Sequence, residues 1–486
     1  MRGEADQQRN TLVRTGFQDL AAGRRDERAV RERGQAEQAR RRAVRAGRAQ
    51  LVLHVPESHF AHVPQRGGGG GQAVPLGEQL RHGRRGGPVV RLGDRAGLRN
   101  ARAEHSFRGR GVHRRPHRAA TGLAHGSVTA LVSDLTDRGL IREDDALRSG
   151  TRGRPLRLIP DRACVAAIQI TSEHLRVAVA DLAGEVVWRE TIPHQLAPCW
   201  PEVMADAIAA AITSIGAADA TRCRAVLARV VVAMAGPVQE DAYQTVTVAP
   251  DFGWMRPVRL RDLIAERRSG PPVAIDVVND ANAAALAEFH ALKRDSRGLV
   301  LIEAGTGIGG GVVLDGRIHT GSHGITGEPG HVPVAMDGPD CVCGARGCLV
   351  AYAGPEAVFT ASGLADLLHD KGLHTAQTEL LARLHRADPR ATAALEQAAR
   401  ALSAAILSIT ALLDADQVVL GGLLGDWTPW LAPTIEDRLS GRRALAPGLA
   451  LRITPATLGD DAILLGALGF ARRAILSDPS AIGPER

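Results

Sequence analysis

The sequence predicts an α/β fold, because strand-like and helix-like segments alternate from residue 164 to residue 475. Short apolar runs there have the length and composition of buried strands, and longer segments have the apolar spacing of helices. The chain has 486 residues, too many for one ordinary core, so we expect about three domains. No internal sequence repeat is evident. A layered α/β body at 164–475 is therefore expected to follow a different N-terminal region.

The N-terminal region, residues 1–118, is set apart by its charge. Residues 1–120 hold 26 Arg against 11 Asp and Glu, whereas the whole chain has a net charge of +7. A run of glycines and repeated Arg/Gly/His clusters without helical period predict disorder. A basic arm that binds nucleic-acid phosphates is the functional alternative. Because almost every cation is arginine, a shifted reading frame of a GC-rich gene is a further interpretation.

Residues 119–160 have the pattern of a partial winged helix-turn-helix. Apolar residues recur at helical spacing from Val128 to Leu135, after a turn at Thr121–Leu123. The segments Leu140–Arg142 and Leu156–Leu158 can pair as strands around an arginine-rich tip. A surface helix with an arginine hairpin is the alternative. The candidates for contact with DNA are the small polar and basic residues His125, Ser127, Thr129, Ser133, Arg152 and Arg154.

A predicted strand and helix meet at Asn279 and Asp280. A carboxylate at the carboxyl end of a strand lies where open α/β sheets bind ligands, and it can take a proton from a hydroxyl. Asp280 can also be a helix cap and nothing more. The local pattern alone favours the cap.

A glycine-rich stretch follows, with five glycines in the seven residues from Gly305 to Gly311. Backbone amides in such a loop can approach an anion or a sugar hydroxyl. A plain hairpin between two strands requires glycine as well, so both interpretations stay open. The candidate loop residues are Gly305, Thr306, Gly307 and Gly309.

Half of the six cysteines lie within eight residues, close to a histidine. A tetrahedral structural zinc needs four nitrogen or sulfur ligands and glycines that let the chain turn around the ion. A disulfide is disfavoured in the cytoplasm, where we expect this chain. The predicted ligands of a structural Zn²⁺ are His331, Cys341, Cys343 and Cys348.

In this order the motifs resemble the ROK family of repressors and sugar kinases. The resemblance rests on Asn279–Glu288, Gly305–Gly311, Gly327–His331 and Cys341–Cys348, with further support from Gly421-Gly422. It implies an actin-like (ribonuclease H-like) ATPase fold of two lobes with a sugar cleft between them. In the regulators of that family a winged helix-turn-helix precedes this fold. Residues 476–486 would form a tail.

The resemblance also implies roles for four residues that match the family pattern. Asp280 matches the base that deprotonates the sugar hydroxyl attacked by ATP. Asn279, Glu328 and His331 match residues that hold the other hydroxyls. His331 would then have one imidazole nitrogen on zinc and the other toward the sugar, so that the metal fixes the orientation of the ring.

Three departures from the family pattern bear on function. Kinases carry Asp-x-Gly-Gly-Thr as a phosphate-binding loop, and Gln169–Glu173 stands there instead, so ATP is not expected as a cofactor. Val350 replaces a glutamate that contacts the sugar, which predicts a weaker or altered sugar site. The family's first helices are missing upstream of Ala119. We therefore expect the apolar stripe at Val128, Leu131 and Leu135 to be partly exposed.

The leading hypothesis is a sugar-responsive, DNA-binding transcriptional regulator, expected to be a repressor, with a degenerate sugar-kinase domain. Its partners would be operator DNA and a small sugar or sugar derivative, and we expect a homodimer or tetramer. No apolar run reaches the roughly 18 residues of a membrane helix. The enzyme alternative is an ATP-dependent sugar kinase, of glucokinase or N-acetylamino-sugar kinase type, with Asp280 as base. A truncated or misframed product without function is the third class.

Overall fold

The computed structural model describes residues 125–143, 155–194, 196, 198–217, 226–292, 296–445 and 451–484. It also describes three short upstream strands: β1 (Val52–His54), β2 (Arg91–Gly93) and β3 (Val112–His113). The predictions for the rest of residues 1–124, and for Arg152 and Arg154, lie outside the described residues. No helix in the described ranges is both long enough and apolar enough to cross a bilayer.

The first described helix, α1 (His125–Asp137), is followed by a small sheet. Strand β4 (Ile141–Glu143) pairs antiparallel with β5 (Pro155–Leu158), as the apolar pattern predicts, and β5 also pairs with β3. The stripe on α1 is more buried than predicted, since Val128 is 4% exposed and Leu135 2%. The expected exposure is wrong for these two residues because the small sheet and the chain's C-terminal residues cover them.

The first lobe is built on a five-stranded mixed sheet. Its order is β10-β9-β6-β7-β8, with β6, β9 and β10 parallel and two antiparallel hairpin strands beside them. All eight residues of β6 are buried, which explains its continuous apolar run. The strands are β6 (Ala163–Ile170), β7 (His174–Asp181), β8 (Val186–Pro193), β9 (Val226–Met234) and β10 (Ala274–Asn279). The helices are α2 (Pro201–Ala217) and α3 (Leu260–Arg267), which cover one face, and α4 (Asp280–Ala291).

The second lobe repeats this topology. Its order is β13-β12-β11-β14-β15, with an antiparallel hairpin on one side of β11 and two parallel strands on the other. The chain thus contains a structural repeat, although its sequence shows none. Two lobes of this form are the predicted actin-like α/β fold. The strands are β11 (Gly298–Ala304), β12 (Ile308–Leu314), β13 (Arg317–Ile318), β14 (Gln417–Gly421) and β15 (Arg452–Pro455).

In the part of the chain that the structure describes, six helices pack on one face of the second sheet. The first five come from a long insertion between β13 and β14, and the sixth connects β14 to β15. They form the largest apolar cluster of the described residues, in which Trp427 is fully buried. The last of these helices contains Pro429 and Pro433 in its interior. They are α5 (Val350–Ala353), α6 (Pro355–Ala361), α7 (Ala365–Lys371), α8 (Leu373–His385), α9 (Pro389–Leu413) and α10 (Gly422–Leu445).

Two helices are exchanged between the lobes. Helix α4 leaves the first sheet and packs on β11 and β12, while α11 (Ala462–Ser477) leaves the second sheet and packs on β6 and β9. The two helices cross in direct contact, because a Cβ at Gly466 would lie 1.8 Å from the carbonyl oxygen of Ala283. The approach of α11 to α4 therefore depends on the missing side chain at Gly466.

Candidate functional site

The junction of β10 and α4 places Asn279 and Asp280 at the carboxyl end of the first sheet. The Oδ1 atom of Asn279 accepts a hydrogen bond of 2.9 Å from the amide of Asn282, and its Nδ2 donates to the carbonyl of Gly236. Asn279 is thus the helix cap, and the capping role considered for Asp280 is wrong. Burial raises the pKa of Asp280, so its carboxylate takes up a proton more readily than an exposed one.

Glu328 shares this site with Asp280. Burial raises the pKa of Glu328, and the charge of Asp280 raises it further. Glu328 precedes a 3₁₀ turn, Pro329–His331, that lies against the start of β12. The turn approaches so closely that a Cβ at Gly330 would be 2.3 Å from the carbonyl oxygen of Ile308. This contact fixes the position of Glu328 beside the glycine-rich hairpin.

His331 belongs to a cluster that can hold a metal ion. Its Nδ1 atom lies 3.5 Å from Sγ of Cys341, and the Sγ atoms of Cys343 and Cys348 are 3.7 Å apart. All four potential ligand atoms lie within 4.8 Å of one another. Zinc–sulfur bonds of about 2.3 Å in a tetrahedron would place sulfurs about 3.8 Å apart, so the donor set fits zinc.

Two left-handed glycines shape the loop that carries these cysteines. Gly344 has φ 89° and Gly347 has φ 64°, and a Cβ at Gly347 would lie 1.8 Å from the carbonyl oxygen of Ala335. Burial and the neighbouring thiols raise the pKa of Cys348 to about 12. A bound cation would reverse this effect by stabilising the thiolate.

The glycine-rich stretch forms the hairpin of β11 and β12, and its glycines divide into two groups. A Cβ at Gly310 would lie 2.3 Å from the carbonyl oxygen of Leu301, and one at Gly311 would lie 2.7 Å from Cβ of Ala285. Glycine at these two positions therefore allows neighbouring segments to pack closely against the hairpin. At Gly305 and Gly307 a Cβ would meet nothing within 4 Å, and Thr306 between them is exposed. The hairpin tip therefore has open space above it.

Glu303 is a residue of this site that sequence reasoning missed. It lies on β11 between Gly309 and Gly421, and burial raises its pKa to about 7, with smaller contributions from the charges of Asp280, Glu288 and Asp460. The available signal was a single carboxylate in an apolar strand next to the glycine-rich tip.

On the first lobe, the turn 169–173 is closed by its own hydrogen bonds. Oγ1 of Thr171 accepts from the amides of Glu173 and His174, at 3.3 and 2.9 Å. Oε1 of Gln169 accepts from Nη1 of Arg176 at 3.0 Å. Backbone amides that could face a phosphate are therefore occupied by a hydroxyl of the protein.

Comparison with known proteins classifies the chain. Residues 165–474 match the ROK family. The chain belongs to the ROK family. An N-acetylmannosamine kinase of Vibrio cholerae is 35% identical over 203 residues, which are 42% of this chain and 66% of that relative.

Solved ROK structures include both a regulator and a kinase. A ROK family transcriptional regulator, described as a homologue of the Escherichia coli MLC protein, has a TM-score of 0.65 at 23% identity, over 76% of this chain and 93% of the other. A ROK hexokinase from Thermus thermophilus has a TM-score of 0.52 at 26% identity, over 64% and 99%. Because both share the fold, the fold does not distinguish the two activities.

Two further features of this ROK protein lie apart from the carboxylates Asp280, Glu303 and Glu328. Val350 begins α5 and packs against the apolar core of the second lobe, so it contributes no polar atom there. On α1, the side chains of Ser127, Thr129 and Ser133 are exposed, opposite the buried stripe. His125 begins that helix. Ser127, Thr129 and Ser133 are thus exposed on an element other than those that carry Asp280 and Glu328.

Proposed function

We propose that this ROK protein is a sugar-responsive, DNA-binding transcriptional regulator, in the simplest case a repressor, whose kinase-like domain binds a sugar without phosphorylating it. The observation that carries the proposal is the turn 169–173. Its amides at Glu173 and His174 are bonded to Thr171, and Glu173 adds a negative charge where the kinases bind phosphate. A polyphosphate would have to displace those bonds and approach a like charge.

The ligand of the cleft is a neutral monosaccharide or a derivative of one. Asn279, Asp280, Glu328 and His331 supply the polar groups, with Asp280 acting as a hydrogen-bond acceptor for a sugar hydroxyl instead of a base. Val350 removes one polar contact, which weakens binding of a sugar that carries a hydroxyl there by roughly 1–3 kcal/mol.

Zinc is the metal that the four-residue cluster would hold. Three sulfurs and one imidazole nitrogen at tetrahedral spacing suit Zn²⁺. The ion would stabilise the loop and orient the ring of His331, whose Nδ1 faces the cysteines, so that Nε2 is left for the ligand.

Operator DNA would meet the exposed face of α1, at Ser127, Thr129 and Ser133, with His125 beside them and Arg152 and Arg154 as wing arginines. A homodimer or tetramer would present two such helices. Closure of the lobes on the sugar would alter their spacing, provided that the sugar binds one lobe arrangement better than the other.

An ATP-dependent sugar kinase is the second candidate, favoured by Asp280 in the cleft and by the kinase name of the Vibrio relative. One experiment separates the two. We expect calorimetry to detect binding of N-acetylmannosamine or glucose, weakened by Glu328→Ala, while coupled assays with ATP detect no phosphorylation. Turnover of about 1 per second or more, abolished by Asp280→Asn, would instead establish the kinase.

A further inference from the structure

The C-terminal residues of the chain are tied to α1. Nη1 of Arg138 donates to the carbonyl of Ile482 at 2.6 Å, and Nη2 of Arg162 donates to the carbonyl of Gly483 at 2.9 Å. Nε of Arg162 also donates to the carbonyl of Arg138 at 2.7 Å. Ile482 is 1% exposed and packs in the same apolar cluster as Leu135. We call these four residues, Arg138, Arg162, Ile482 and Gly483, the clamp.

The other end of α11 is tied to the helix that carries Asp280. The carboxylate of Glu288, 1% exposed on α4, accepts from the amides of Thr457 and Leu458 and from Oγ1 of Thr457, at 2.8 to 3.0 Å. Thr457 and Leu458 lie just before α11. We call this contact the latch. Glu288 follows Asp280 by eight residues on the same helix, about 12 Å along its axis.

Between latch and clamp, α11 is a continuous helix of 16 residues, about 24 Å long. It crosses α4 at Gly466 without room for a methyl group. If α4 moves toward α11, α11 must therefore move with it as a rigid helix, because the close packing leaves no space to absorb the displacement.

We propose that the latch, α11 and the clamp transmit ligand binding in the cleft to α1. The inference rests on the proposed function, since it takes the cleft as a sugar site and α1 as the helix that binds DNA. Arg138 and Arg162 are positioning residues: they touch neither ligand, and they make the orientation of α1 depend on α11. Coupling through one shared element must act in both directions.

Hydrogen exchange measured by mass spectrometry on the full chain tests the transmission. The probes are N-acetylmannosamine and glucose. In the wild type we expect the bound sugar to change exchange of α1 amides by about fivefold or more. In the double variant Arg138→Met/Arg162→Met, the fold-change in exchange at α1 should fall close to one, while the sugar still changes exchange at α4. Asp134→Ala is the matched control, because it removes the ion-pair partner of Arg138 and keeps the bond to Ile482.

The same α1 response in the double variant as in the wild type would overturn the proposal. Unchanged exchange of the α1 amides in the wild type, when calorimetry shows the sugar bound, would also overturn it. The proposal would equally fail if Asp134→Ala lost the α1 response as fully as the double variant.

A second measurement needs no ligand. Thr457→Val removes one latch bond and should increase exchange of α1 amides in the wild-type background but not in Arg138→Met/Arg162→Met. Equal fold-changes in both backgrounds would mean that latch and clamp are independent and would refute the transmission. If neither sugar binds, these two sugars are excluded as ligands, and this measurement still decides the inference.

Discussion

Glu303 combines an apolar strand position with three nearby carboxylates, and its ionisation should limit stability. Its pKa rises from 4.5 to about 7 on folding. The contribution of Glu303 to stability is therefore complete below pH 4.5 and is lost as the pH rises through 7. We expect Glu303→Gln to increase the free energy of unfolding by about 1–2 kcal/mol at pH 8 and by little at pH 4.5, since the side chain is half-buried. Urea denaturation at the two pH values measures this.

Glu240→Gln is the control for Glu303, because Glu240 is exposed and lies outside the site, and it is measured at the same two pH values. A gain for Glu303→Gln that does not depend on pH would contradict the assignment of its pKa.

At the metal cluster, we expect one zinc per chain. Cys343→Ser should remove the ion and lower the free energy of unfolding by about 3–5 kcal/mol, because the loop loses the ion that joins its ends. Metal analysis and denaturation measure both effects. Cys199→Ser, outside the cluster, should retain the zinc. Less than about 0.3 zinc per folded wild-type chain would refute the site.

At the scale of elements, the crossing of α4 and α11 gives a prediction with a control on the same helix. Gly466→Ala should destabilise the chain by about 3 kcal/mol or more, because the methyl group would overlap the carbonyl oxygen of Ala283. Gly469→Ala meets nothing within 4 Å and should gain about 0.5–1 kcal/mol through helix propensity. Chemical denaturation compares them, and equal effects would mean that the helices can separate without cost.

The sequence predicted elements where local physics decides them. β6 and α9 carry such local signals, because burial gives them continuous or periodic apolar patterns. Helix α10 contains Pro429 and Pro433, which disfavour a helix interior, and tertiary packing around Trp427 carries the helix through both. Edge strand β8 has no buried residue, and its apolar run is only three residues long, Val186–Trp188.

Of the candidate site, too, the sequence predicted the local parts and missed those that depend on distant residues. The metal cluster is local, so the spacing of its cysteines sufficed. The environment of Glu303, by contrast, depends mainly on burial in a sheet assembled from distant segments, with a small contribution from Asp460, 157 positions away. It also depends on the lobe repeat, which leaves no trace in the sequence. The closure of the turn 169–173 by Thr171 depends on side-chain orientation.

At the scale of the whole molecule, the proposed DNA binding would depend on the region before α1. We expect the chain as written to bind DNA weakly and with steep salt dependence, through the arginines of residues 1–120. A chain with the upstream frame restored should bind a palindromic operator as a dimer and lose sequence preference when Ser127 and Thr129 become alanine. Gel-shift titrations at two salt concentrations compare the chains. Tight, specific and salt-tolerant binding by the chain as written would contradict the frame interpretation.

The exchange of helices between lobes also governs how the protein is made. The first sheet is complete at residue 279, but the helix that covers one of its faces begins at residue 462. At about 5–20 residues per second, a ribosome needs roughly 10–40 s to synthesise the residues between them. During that interval the nascent chain carries an uncovered apolar surface. Chaperones that bind such surfaces would therefore have access to the first lobe until α11 has been synthesised.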